Sequence, residues 1–265
     1  MEPIRVVING ALGRMGQEIT KAVVREPGLK AVGAVEKEVT QKYLPLPEAP
    51  ELILLSSDLN VCLKRCDPDV VVDFTNAQVS MAAARVAIKQ KVNMVIGTSG
   101  LSEENLAEIE QLCKANKVGA VVAPNFSLAA ALLIHLSKFA AKYFDHAEII
   151  EMHHDKKADA PSGTAIATAR AMLQTHGKPF IYPEVKHEVL SNTRGGQIDG
   201  IAIHSLRLPG VMAGQEIIFS GAGETLSLHH NAISRECYLP GVILAIKEVK
   251  KRKGLTYGLE ALLKI

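Results

Sequence analysis

The sequence has no tryptophan, and aromatic residues make up only 4% of its 265 positions. Platforms on which nucleobases stack are therefore not expected. Net charge is also scarce. Thirty basic and 28 acidic side chains leave +2, interspersed rather than blocked, so nothing draws the chain to nucleic acid or to a membrane surface. The four cysteines, Cys62, Cys66, Cys113 and Cys237, include no CxxC pair and no histidine at zinc-finger spacing. That pattern indicates free thiols in a reducing compartment. Cys62 and Cys66 can share a helix face, but two thiols alone do not argue for zinc. Long apolar runs are missing too. "LAAALLIHL" is interrupted by His135 and is too short to span a bilayer, and "MEPIRVVING" lacks the apolar core of a signal peptide. The expectation is a soluble, cytoplasmic protein.

What is present is a chain 48% hydrophobic, long enough for one large domain or two modest ones. Up to residue 124, β-branched runs alternate with helical patterns. "IRVVING", "LKAVGAVE", "DVVVDF", "NMVIGT" and "VGAVVAP" read as strands, with a Pro-rich loop before the third. "GRMGQEITKAVVRE", "AQVSMAAARVAIKQ" and "SEENLAEIEQLCKANK" read as helices, the last capped by Ser102. Runs of Val and Ile without alternation predict strands covered on both faces, hence a Rossmann-type, doubly wound parallel sheet in an α/β fold. After residue 125 the rhythm changes. A helix over Leu128 to Phe144 leads into the strand "HAEIIEMHH", and a second helix starts near Thr164. "IAIHSLRL", "QEIIFSG" and "ETLSLHHNA" alternate partially, which suits a mostly antiparallel sheet. "CYLPGVILAIKEVKKRK" reads as a helix returning to the first domain. The expected division is residues 1–124 completed by 234–265, with an inserted α+β domain at 125–233.

The turn after the first strand, "GALGRMG", spaces its glycines as GxxGxxG, with Leu12 where a glycine is usual. Glycines there let backbone N–H groups approach a pyrophosphate at a helix N-terminus. Glu36 closes the second strand, where a carboxylate can accept hydrogen bonds from both ribose hydroxyls of an adenosine. Lys37 beside it can meet a 2′-phosphate, so the pair points to NADH or NADPH rather than to one of them. "GTSG" at Gly97 to Gly100 and "APNFS" at Ala123 to Ser127 stand at further strand ends, where ligands of such sheets bind.

The second cluster of chemistry is "EMHHDKKADAPSGTA". His153 and His154 emerge at a strand tip, with Lys157 a few residues on. Ser162 can cap the following helix, while Gly163 leaves its first N–H groups open to a carboxylate. Imidazole is suited to giving up a proton near neutral pH, and an ammonium can stabilise charge that builds on an acceptor of hydride. Two adjacent histidines could instead bind metal or sit on a solvated loop. Asp155, Lys156 and Asp159 read as solvated or as local turn formers, and His229 and His230, within a strand, as structural.

"GALGRMG", "VVDFT", "VIGTSG", "APNFS" and "EMHHDKKADAPSGTA", in that order, closely resemble the dihydrodipicolinate reductase (4-hydroxy-tetrahydrodipicolinate reductase) family over essentially the whole chain. The resemblance implies reduction of a cyclic dicarboxylate with NADH or NADPH to (S)-2,3,4,5-tetrahydrodipicolinate, in the diaminopimelate route to lysine. It implies His153 as proton donor and Lys157 as second catalytic cation, with His154, Gly163 and Thr164 on a substrate carboxylate. It implies a cofactor lined by Gly10, Ala11, Leu12, Gly13, Arg14, Met15, Glu36, Gly97, Thr98, Ser99, Ala123, Pro124, Asn125 and Phe126, beside the Lys37 read above from its position; no metal is expected. A homotetramer assembled through the second sheet is implied as well. Lys37 stands where some relatives carry Arg, and no function attaches to Gln215. The alternatives are another two-domain NAD(P)-dependent oxidoreductase, such as an amino-acid dehydrogenase, and a non-catalytic NAD(P) sensor.

Overall fold

The computed structural model describes residues 2–265, which divide into two compact units. One contains the chain up to Leu128 together with Arg235–Ile265, and the other is Ala129–Ser234.

The first unit opens with β1 (Ile4–Asn9), α1 (Arg14–Arg25) and β2 (Leu29–Val35). It continues through β3 (Tyr43–Pro45), β4 (Leu52–Ser56), α2 (Leu59–Cys66) and β5 (Val70–Asp73). Then come α3 (Ala77–Lys89), β6 (Asn93–Ile96), α4 (Glu103–Asn116) and β7 (Gly119–Val122). The eight-stranded sheet runs β13-β7-β6-β5-β1-β2-β4-β3, where β13 (Gly254–Tyr257) follows α7 (Leu239–Val249) and precedes the short α8 (Glu260–Leu263). All neighbours are parallel except β3 on β4. Helices on both faces explain the unbroken burial of β5 and β7. The Pro-rich segment read as a loop contains β3, and β4 and β13 were also not expected. β3 and β13 are short, three and four residues, with too few apolar positions to show a period.

Strand order reverses at β1, whose neighbours are β2 and β5. Ligands of doubly wound sheets bind beyond the strand ends at such a switch point. Side chains cap the surrounding helices: Asp58 caps α2, Asn76 caps α3, and Ser102 forms a capping box with Asn105 on α4. α1 begins at Gly13 with no side-chain cap. Its first N–H groups are therefore left to a ligand or to water.

In the second unit, α5 (Leu128–Ala140) precedes β8 (His146–His153) and α6 (Gly163–His176). β9 (Gly196–Ile198), β10 (Ile201–Arg207), β11 (Ala213–Gly221) and β12 (Glu224–Ala232) follow. α5 stops four residues short of the expected Phe144, because the chain turns after Ala140 to enter β8. The five strands are ordered β12-β11-β8-β10-β9, and only β8 and β10 are parallel. Leu133, Ala165, Ala169 and Met172 of the two helices pack on Ala147, Ile149, Ile203 and Ile217 of the sheet. The same face of β8 therefore alternates Ala147, Ile149, Glu151, His153, so its last two positions are polar.

Candidate active site

In the first unit the turn after β1 is built on close backbone approaches. Gly10 has φ +76°, a left-handed conformation that a side chain strains. Its N–H and that of Ala11 donate to the Val35 carbonyl at 2.8 and 3.2 Å, fastening the turn to the end of β2. A Cβ on Gly16 would lie 2.0 Å from the Gly10 carbonyl oxygen, so only glycine lets α1 start this close to β1. Glu36 accepts the Leu12 N–H at 3.0 Å through one carboxylate oxygen and the Lys37 N–H at 3.0 Å through the other. Each oxygen keeps acceptor capacity for a ligand hydroxyl. Beside it lies a cavity of about 610 Å³ lined by Asn9, Gly10, Glu36, Lys37, Thr75 and Val79 among others.

Beneath this rim, Asp73 at the end of β5 is fully buried. Asn9 Nδ2, Thr75 Oγ1 and Ser80 Oγ donate to it at 2.5, 2.8 and 2.5 Å, and Thr98 Oγ1 at 3.2 Å. One carboxylate thus joins the ends of β1, β5 and β6. Thr98 is spent in this network, and Phe126 is buried at 5.3 Å from the Phe74 ring, so both can meet a cofactor only through backbone. Ala11 and Ala123 are buried likewise, whereas Leu12, Gly13, Arg14, Lys37, Ser99 and Pro124 are exposed and Met15, Gly97 and Asn125 half-buried.

In the second unit, Glu151 is the centre of the site. It is fully buried and lies two residues before His153 on one strand, so the two side chains share a face. His153 Nδ1 is 2.6 Å from Glu151 Oε2. The Arg207 guanidinium forks onto both Glu151 oxygens at 2.8 and 3.1 Å. Backbone Ser162 N–H adds a bond at 3.2 Å. Burial pushes the Glu151 carboxyl up, but hydrogen bonds from Arg207, Ser205 and His153 outweigh it and hold the group below the ordinary carboxylate range. His153 lies below the usual imidazole value. Burial is the main cause, and the charges of Lys157 and Arg207 add to it against the opposing pull of Glu151.

Lys157 Nζ donates to both oxygens of Asp159 at 2.7 and 2.8 Å, and Arg207 Nη2 donates to the Asp159 carbonyl at 2.6 Å. Asp159 is exposed and makes a local bond, as expected of a turn residue, and through its carboxylate and carbonyl it also meets both cations. Ser162 caps α6 by accepting the Ala165 N–H, which leaves those of Gly163 and Thr164 facing out of the helix end. His154 is exposed in the loop after β8. The structure brings His153, Lys157 and the α6 start into one neighbourhood, and adds Glu151 and Arg207, which the sequence reading did not single out. The available signal was a pair of charged residues ending the apolar faces of two strands. Among the described residues no group of three or more His, Cys, Asp or Glu could hold a metal ion, and no helix is long and apolar enough to cross a membrane.

Residues 4–126 match the family model "Dihydrodipicolinate reductase, N-terminus", and 129–263 match "Dihydrodipicolinate reductase, C-terminus". A 4-hydroxy-tetrahydrodipicolinate reductase of Dehalococcoides mccartyi is 52% identical over the whole of both chains. That of Moorella thermoacetica is 48% identical over 98% of each. Among solved structures, a dipicolinate-bound dihydrodipicolinate reductase from Paenisporosarcina sp. TG-14 superimposes with TM-score 0.88 and 36% identity, covering 97% of this chain and 98% of that one.

Proposed function

The chain belongs to the dihydrodipicolinate reductase family, and from that premise we propose how its residues divide the work. It is an NAD(P)H-dependent oxidoreductase that converts 4-hydroxy-tetrahydrodipicolinate to (S)-2,3,4,5-tetrahydrodipicolinate, on the diaminopimelate route to lysine. The reaction replaces a hydroxyl by hydrogen, so a hydride and a proton enter and water leaves. NADH or NADPH supplies the hydride.

In our reading the residues of the first unit fit that cofactor. The uncapped start of α1 takes the pyrophosphate between its N–H groups, and Glu36 takes the adenosine ribose hydroxyls. Lys37 stands ready for a 2′-phosphate, so both NADH and NADPH are accepted. The ends of β6 and β7, at Gly97 to Ser99 and Ala123 to Phe126, line the remaining length.

In the second unit His153 gives the proton from Nε2, since Nδ1 is engaged by Glu151. Lys157 stabilises the negative charge that builds as hydride arrives, and the N–H groups of Gly163 and Thr164, with His154, hold a substrate carboxylate. A dianionic substrate answers the charges of Lys157 and Arg207. That offsets the two cations that add to burial in holding His153 low, and so favours the charged imidazole. The observation that carries this reading is a histidine locked to a buried carboxylate beside a helix start with open donors. We also infer a cytoplasmic homotetramer from the family resemblance, checked by light scattering of the purified protein.

The test is oxidation of NADH and NADPH with substrate generated in place from pyruvate and aspartate semialdehyde by its synthase. His153→Ala should lose turnover by about 10²–10⁴-fold while NADH fluorescence titration is unchanged. Turnover within a few-fold of the native protein would remove His153 from the mechanism. Cofactor binding with no turnover in the native protein would favour the sensor.

A further inference from the structure

With His153 as proton donor, the buried pair Glu151–Arg207 still lacks a part in the reaction, and any part assigned to it rests on that reading of His153. A carboxylate has no proton to give, and here both its oxygens already accept: Oε1 from Arg207 Nη2 and Ser162 N–H, Oε2 from Arg207 Nη1. The 2.6 Å contact to His153 can then be a hydrogen bond only if Nδ1 carries the hydrogen. Arg207 itself is fixed on its other side by the carbonyls of Leu206 and Asp159. Its guanidinium is thus held by three acceptor groups at once, the Glu151 carboxylate and these two carbonyls.

We propose that Glu151 and Arg207 are positioning residues for the reaction: Glu151 fixes the Nδ1–H tautomer of His153 and aims Nε2 at substrate, and Arg207 keeps Glu151 ionised and in place. The same carboxylate also takes the N–H of Ser162, the residue that caps α6. One group therefore sets the proton donor and the start of the carboxylate cradle in a common frame. Asp159, held by Arg207 through its carbonyl and by Lys157 through its carboxylate, extends that frame to the second cation.

The ionisable groups acting on His153 are Glu151 on its own strand, Arg207 from β10 and Lys157 from the following loop, whose charge Asp159 faces. From β11 and the start of α6 come Gln215, opposite Glu151 in register, and Ser162, both neutral. Removing the Glu151 charge therefore takes away the anion that supports the charged form of His153 and leaves Arg207 beside it without its partner. Its protonated form is then lost at lower pH.

The experiment measures kcat and its pH profile for the native protein, Glu151→Gln and His153→Ala, with ¹⁵N NMR of the histidine side chains in the native protein. The His153 signals are assigned by their absence from His153→Ala. Glu151→Gln should lower kcat by about 100-fold, as loss of an ordered proton donor does, leave KM for NADH within twofold, and move the alkaline limb of kcat to lower pH. The neutral His153 ring should show its hydrogen on Nδ1. A loss of kcat with the limb unmoved would reduce Glu151 to a structural role and overturn the proposal. So would a neutral ring carrying its hydrogen on Nε2, a result that stands even if Glu151→Gln does not fold. Full turnover in His153→Ala overturns the donor reading itself, and is told apart from the other failures because the donor variant, not the Glu151 variant, reports it.

Discussion

Three glycines that face different surroundings turn the geometry of both units into a graded measurement. A Cβ at Gly16 would meet the Gly10 carbonyl oxygen at 2.0 Å and the Ala11 Cα at 2.7 Å, both backbone atoms. Gly16→Ala therefore requires α1 to back away from the turn by about 1 Å. Overpacking of this kind costs about 1–3 kcal/mol, and here no flexible side chain can absorb it. Against that, alanine gains up to about 1 kcal/mol of helix propensity. Because backbone meets backbone the upper end of the cost applies, about 3 less about 1, so the expected net loss is about 2 kcal/mol, or about 4–8 °C in melting temperature for a chain of this size. Gly13→Ala places its Cβ 3.2 Å from the same oxygen, a contact relieved by a few tenths of an ångström, so a loss below about 1 kcal/mol is expected. At Gly163, the first residue of α6, a Cβ would meet nothing within 4 Å. Gly163→Ala should leave stability unchanged or raised by about 0.5 kcal/mol, with any penalty appearing in KM for the substrate. Differential scanning calorimetry ranks the three, and NADH fluorescence titration should show about tenfold weaker binding for Gly16→Ala alone, because the donors of α1 have moved. If Gly16→Ala melted within a degree of the native protein and bound NADH equally well, the claim that this approach shapes the cofactor turn would be wrong.

Three further outcomes follow from particular groups. On the proposed reading Glu36→Gln removes the charge that would accept ribose hydroxyls and repel a 2′-phosphate, so the ratio of kcat/KM for NADPH over NADH should rise about tenfold; a ratio that stays put would take Glu36 out of cofactor choice. Arg207→Met leaves Glu151 buried without its ion partner, which costs about 3–5 kcal/mol near neutral pH by urea unfolding. Because the folded-state pKa of Glu151 lies below its unfolded value, the pair's contribution is present above the ordinary carboxylate range and lost as pH falls through the folded value. The gap between native and variant stability should therefore narrow on acidification, and a gap independent of pH would contradict the assignment. Burial pushes the Cys62 and Cys113 thiols up to about 12, so an aromatic disulfide reagent at pH 8 should label them only after unfolding; prompt labelling in the folded protein would contradict their burial.

What could be seen in the sequence and what could not divides along one physical line. Properties carried by neighbours in the chain were visible: the β-branched runs that became β1, β2, β5, β6 and β7, the caps Ser102 and Ser162, the glycine turn with Glu36 closing the next strand, and the adjacency of His153, Lys157 and the α6 start. Properties carried by register were not. Arg207 reaches Glu151 across 56 residues of chain, because β10 lies parallel to β8 with Ser205 opposite Glu151 and Arg207 opposite His153. No spacing rule foresees that pairing, since the strands between them could have been ordered otherwise. The same holds for Asp73, whose donors Asn9, at the end of β1, and Thr98, just after β6, flank β5 on either side.

Yet Glu151 carried a signal of its own. It occupies the buried phase of an alternating strand, after Ala147 and Ile149, where an unpaired carboxylate would be prohibitively costly. A buried acid on such a face demands a cation and further donors, and "IAIHSLR" ends on the one long, always-charged side chain able to fork onto both oxygens. An acid two residues ahead of the proposed proton donor, on the same face of its strand, is therefore a natural partner for that histidine, and the spacing alone is enough to suggest it. Polar groups that burial forbids to stand alone mark the contacts a chain must make over distance, and here they mark the residues that fasten His153 and the start of α6 in place.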